Sequence, residues 1–166
     1  MNLDWDRMFR RYVYDAETTP YGTPVDRLTR SQADSEVFVY TVFLIILFAT
    51  IGVAGLSGKM PHGDVIGVPI YAFFLVWMAV LFAWTKSVSS GAFCATAPVA
   101  GMLYCAVYGF PPGLGILDKS LIIAVLALLL VYSWRIVRIA AGYTSMPPGK
   151  PRKRGRRNPY EPHDTA

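Results

Sequence analysis

The residues able to do chemistry are few and scattered. His62 and Asp64 stand two apart, but two potential metal ligands without a third fall short of the three or four that a zinc site takes. They read as part of a solvated loop. Cys94 and Cys105 are the two cysteines, and both fall within one expected helix, where a rise of 1.5 Å per residue separates them by roughly 16 Å. A disulfide needs Cα atoms within about 7 Å, so they read as small packing residues. Lys59, Lys86, Asp118 and Lys119 complete the polar candidates between the apolar runs, and their spacing offers no nucleophile with its base. Glu36, at the entrance of the first run, reads as too shallow for a buried carboxylate site. No run holds a histidine that could ligate haem or a mid-run carboxylate that could relay protons. The expectation is a protein that is not an enzyme, with no catalytic, metal or cofactor residues.

The elements carrying these residues are strongly apolar. The chain of 166 residues is 54% hydrophobic and 16% charged, against about 25% charged for an average soluble domain. Between Val37 and Trp134 the only charged side chains are Lys59, Asp64, Lys86, Asp118 and Lys119, whereas a soluble domain spreads charge over the wet face of every element. Four runs, about 37–56, 66–84, 92–110 and 121–137, approach the roughly 20 residues that cross a hydrocarbon core about 30 Å thick. Short connections join antiparallel neighbours. The fold class expected is therefore all-α: an up-and-down bundle of four transmembrane helices, spanning residues 29–142. The polar first 35 residues lack the apolar core of a secretory signal, so the N-terminal segment is expected to stay in the cytoplasm.

Charge then sets orientation. With both ends cytoplasmic, every Lys and Arg except Lys59 and Lys119 lies inside, in keeping with the positive-inside rule. A third run that turned back instead of crossing would place the basic C-terminal segment outside. Trp84, Trp134 and Tyr132 fall at headgroup depth on the cytoplasmic side, and Arg135 and Arg138 are expected to reach toward that surface. The localisation implied is a bacterial inner membrane.

Outside the spans, Trp5, Met8, Phe9, Tyr12 and Val13 recur at helical spacing with Arg7, Arg10 and Arg11 around them. This predicts an amphipathic helix over about 4–14 that lies in the inner membrane surface or docks on a partner. A linker broken by Pro20, Gly22 and Pro24 follows. Thr29 and Gln32 match a capping box, predicting a helix that starts near Thr29 and continues into the first span. The segment 143–166 is read as a cytoplasmic basic tail. Lys150, Arg152, Lys153, Arg154, Arg156 and Arg157 lie among prolines and glycines there, a composition expected to stay disordered, to secure topology and to attract anionic headgroups. Basic residues without interleaved aromatics give no reason to expect a nucleic-acid partner.

Within the spans the clearest pattern is a row of small residues at four-residue steps in the third run: Ala97, Gly101, Cys105 and Gly109. Ala92, Thr96 and Ala100 stand beside it. Such rows let backbones approach closely in lipid, so the third span is expected to be central. Thr50, Ala54 and Gly58 in the first span are its expected partner row. Pro98 predicts a kink. The second span carries Phe73, Phe74, Trp77, Leu81 and Trp84, with the Trp77 indole expected to seek a protein, cofactor or lipid acceptor. The fourth is expected to face lipid. Beyond the bilayer, the expected partners are other membrane subunits or further copies of the chain. The function expected is that of an accessory, scaffold or assembly subunit of a larger membrane complex. The competing role is a small transporter subunit or an oligomeric, holin-like pore.

Overall fold

The computed structural model describes residues 23–58 and 65–148. The expected helix over 4–14 and the six basic residues from Lys150 onward lie outside the described residues. Within them the chain is helical without strands, and four helices are long and apolar enough to cross a membrane. These are α1, Arg30–Leu56; α2, Gly67–Thr85; a third span broken into α3, Val88–Cys94, and α4, Thr96–Tyr108; and α5, Ile116–Gly142. The third span begins four residues before the apolar run does, because Ser87 caps it: its Oγ accepts the Ser90 N–H at 3.3 Å.

Helix starts and stops follow local chemistry. Thr29 is the N-cap of α1, and its backbone N–H donates to Gln32 Oε1 at 3.0 Å, one arm of the capping box. At the start of α5, the Gly115 N–H donates to Asp118 Oδ2 at 3.0 Å. Lys86 ends α2 in the left-handed region, with φ of 50°, a conformation that costs a non-glycine residue about 1 kcal/mol or more. Lys86 and Ser87 alone join α2 to α3, and that tight reversal forces the conformation.

Both described chain ends meet at one end of the bundle, here called the terminal end. The Arg30 N–H donates to the Pro147 carbonyl at 3.0 Å, and Arg30 Nη2 donates to the Thr144 carbonyl at 2.8 Å. Residues 143–148, expected to open a disordered tail, are therefore docked: Tyr143–Ser145 form a 3-10 turn, and Met146 is buried. The opposite end carries the α1–α2 and α4–α5 loops and is called the loop end.

The core concentrates at the terminal end. Leu28, Ala33, Val37, Tyr40 and Leu44 meet Ala79 and Phe82 of α2, Cys94 of α3, and Ile136 and Ile139 of α5, all nearly inaccessible. Toward the loop end, α1 stays with α2: a Cβ on Gly52 would lie 3.0 Å from the Phe73 ring, and one on Gly55 would lie 3.1 Å from Pro69. Likewise α4 stays with α5, where a Cβ on Gly101 would lie 2.9 Å from Leu126 Cδ2. The two pairs diverge.

Candidate functional site

The divergence begins at the break in the third span. Pro98 has no N–H to give the Cys94 carbonyl four residues earlier, and its ring crowds that carbonyl. The helix turns at Ala95, and Tyr40 Oη supplies the missing donor to the Cys94 carbonyl at 3.3 Å. The same hydroxyl shares a hydrogen bond with Ser133 Oγ at 2.8 Å, while the Tyr40 and Tyr132 rings lie 5.9 Å apart. One tyrosine on α1 thus ties α3 and α5 together where the kink frees a backbone group, which is how lipid-embedded helices tolerate proline.

One turn nearer the terminal end stands the strongest polar contact. Arg135 Nη2 donates to Glu36 Oε1 at 2.8 Å and Arg135 Nε to Glu36 Oε2 at 3.0 Å, a forked arrangement matched to a carboxylate. The Glu36 side chain is 1% exposed and that of Arg135 is 22% exposed. This corrects two expectations. Glu36, read as too shallow for a buried carboxylate site, is buried in the bundle, and Arg135, expected to reach toward the surface, turns its guanidinium onto it. Each supplies the other's countercharge, the condition under which burial of either is tolerable.

A looser layer completes the terminal end. Tyr143 Oη donates to Asp34 Oδ1 at 2.7 Å, and Lys86 Nζ lies 3.6 Å from the same oxygen. Lys86 also donates to the Ala83 carbonyl. Arg138 reaches only to 4.0 Å from Asp26, and both are exposed. Most acid and base groups here are engaged with each other, while Asp26, Arg135 and Arg138 also border a small cleft of about 270 Å³ beside Pro24 and Trp134.

The larger cavity lies elsewhere. Between the α1–α2 and α4–α5 pairs, in the loop-end half, is a crevice of about 780 Å³ lined almost wholly by apolar side chains. Leu47, Phe48 and Ile51 form one wall; Ala97, Ala100 and Gly101 face them from α4, and Ile122, Leu126 and Leu129 from α5. Exposed Phe43, Leu103, Val107, Leu121 and Val125 form its lips, so it opens sideways out of the bundle. Its polar features are tyrosines, among them Tyr71, whose hydroxyl shares a 2.8 Å hydrogen bond with Thr96 Oγ1.

The residues singled out from sequence are distributed unevenly around this geometry. Ala97 is buried, and Gly101 and Cys105 are half-buried. Within the chain, however, Gly101 meets Leu126 of the fourth span and not the first. Gly109 lies past the end of α4 with φ of 81°, and Gly58 lies past the end of α1. Thr50 is exposed and satisfies its hydroxyl on the Ile46 carbonyl at 2.8 Å, while Ala54 is half-buried. The Thr50, Ala54 and Gly58 row is therefore no partner for the third span in this chain, because the kink carries α4 away from α1. In the second row, Ala92 and Thr96 are exposed and Ala100 is half-buried. Trp77 is 63% exposed and points out of the bundle, not toward an internal acceptor. Phe74 meets Phe93 edge to face at 4.9 Å. Cys94 and Cys105 are free thiols.

Among the described residues no three His, Cys, Asp or Glu come together as a metal cluster. Comparison with known protein families, characterised proteins and solved structures finds no match to this chain.

Proposed function

We propose that this chain is a non-catalytic, multi-pass membrane protein that serves as an accessory, scaffold or assembly subunit of a larger membrane complex. It would sit in a bacterial inner membrane with both ends cytoplasmic, an orientation supported by the concentration of basic residues before Glu36 and after Trp134. The observation carrying the reading is the division of labour between the two ends. Most polar side chains of the terminal end fasten the helices together, and the larger cavity is apolar and remote from them. That arrangement suits a protein whose work is contact within the bilayer rather than turnover, since catalysis needs acid, base or nucleophile directed at a shared space. The partners are other membrane subunits or further copies of the chain, with the basic C-terminal segment against anionic headgroups.

Affinity purification from membranes in a mild detergent, followed by native mass measurement, tests the proposal. A larger partner at fixed stoichiometry is the expected outcome. Recovery solely as a monomer or homo-oligomer would overturn it.

A further inference from the structure

The crevice between the two helix pairs has the dimensions and charge arrangement of a lipid site. Its lining belongs to the loop-end halves of all four spans, and its lips open to the side. A transmembrane helix is a poor occupant. Crossing half of a core about 30 Å thick, a helix about 10 Å across fills on the order of 1,200 Å³, more than the 780 Å³ available. That volume falls within the roughly 300–1,000 Å³ of small-ligand pockets. Water is equally unsuited to an apolar space of this kind. An acyl chain is thinner than a helix, matches the lining and can enter from the side.

Charge then identifies the rest of the molecule. Ile122, Leu126 and Leu129 line the crevice along one face of α5, and Lys119 continues that face by one turn toward the loop end, three residues before Ile122. Its ammonium lies 6.0 Å from the centroid of the Phe110 ring. The neighbouring Asp118 is turned onto the Gly115 N–H. A cation thus follows the apolar lining by one helical turn, on the loop-end side of the crevice.

We propose that the crevice holds one acyl chain of a glycerophospholipid whose phosphate is bound by Lys119. This inference stands independently of the subunit reading. The test is to reconstitute the full chain in phosphatidylethanolamine–phosphatidylglycerol vesicles containing a trace of phosphatidylcholine with a photoreactive acyl terminus, then map adducts by mass spectrometry. The expected result is labelling of Ala100 and Leu129 at a level comparable with the outward-facing Phe74 and Trp77. Ala100→Phe should reduce the crevice adducts several-fold and leave the outward ones unchanged. Lys119→Ala should lower crevice adducts about fivefold, the effect of one basic side chain near a lipid surface. Should Ala100→Phe fail to fold, Val125→Phe narrows the crevice from its lip and carries the same expectation. Labelling confined to outward-facing residues would overturn the proposal. So would loss of the Ala100 and Leu129 adducts as the protein-to-lipid ratio is raised, which would mark the crevice as a contact between copies. Equal crevice labelling by a photoreactive diacylglycerol, which lacks phosphate, would overturn the role of Lys119.

Discussion

The two ends of this bundle are built from the same helices yet are held by different forces. At the terminal end, α1 and α5 are joined by the Glu36–Arg135 fork, by the Tyr40–Ser133 hydrogen bond and by the return of residues 143–148 onto Arg30. At the loop end the same two helices part, and α5 presents exposed Leu121, Ile123, Val125 and Leu128. The difference follows from solvent. In lipid, apolar side chains gain little from leaving hydrocarbon, so helices associate through close packing and hydrogen bonds. Where polar groups and small residues supply those, the bundle closes; where aliphatic side chains face each other, it is free to open. Pro98 sets the boundary by turning the third span at Ala95 and leaving a carbonyl that only the closed half can satisfy.

The largest effect expected is therefore at the fork. Glu36→Ala leaves Arg135 without its countercharge and should destabilise the fold by about 3–5 kcal/mol, read as a lowered midpoint in a denaturing-detergent titration. The pair Glu36→Leu with Arg135→Met should recover most of that loss. Recovery of none would mean the fork is not the principal fastening of the closed end.

A matched pair of glycine substitutions compares the halves directly. In Gly91→Leu the new Cβ stands 3.0 Å from the ring of Phe82, which is fully buried, and overpacking of that kind costs about 1–3 kcal/mol. In Gly101→Leu the Cβ meets the end of Leu126, half-buried and beside the crevice, which has space to move. Its cost should be under about 1 kcal/mol. The same titration gives both values, and equal costs would erase the distinction between a rigid and a yielding half.

Tyr40→Phe removes both hydrogen bonds at the hinge and should cost about 1 kcal/mol, the scale measured for side-chain bonds between membrane helices. A loss within error would show that the Cys94 carbonyl finds another donor. The smallest effect belongs to Lys86→Gly. Release from the left-handed conformation, worth about 1 kcal/mol, is offset by losing a partly exposed ion pair worth about 0–1 kcal/mol. Net stability should change by less than about 1 kcal/mol, and its salt dependence should weaken. A large loss would promote the Asp34–Lys86 contact to a true fastening.

Some of this architecture was legible residue by residue. Thr29 and Gln32 announce the start of α1 because a capping box is a local device. Pro98 announces a kink because its missing donor acts within four residues. The alternation of apolar runs with short polar breaks announces four spans because the bilayer demands a length. Each of these signals is complete within a short window. The Ala97, Gly101, Cys105 and Gly109 row shows the limit: its small residues were evident, but not which helix they meet, since spacing describes a face and not its neighbour.

Sequence by itself determined the number of spans and the absence of charge from their middles, because crossing hydrocarbon constrains every residue individually. Tertiary structure alone decided that Glu36 faces Arg135 across 99 positions of chain, that Tyr40 serves the carbonyl freed by Pro98, and that the kink leaves an apolar crevice. Those outcomes depend on how the helices are rotated and tilted against one another. In a solvent as apolar as the side chains, helix rotation is set by a few polar and small residues meeting across the bundle, and no single helix carries the identity of its partner.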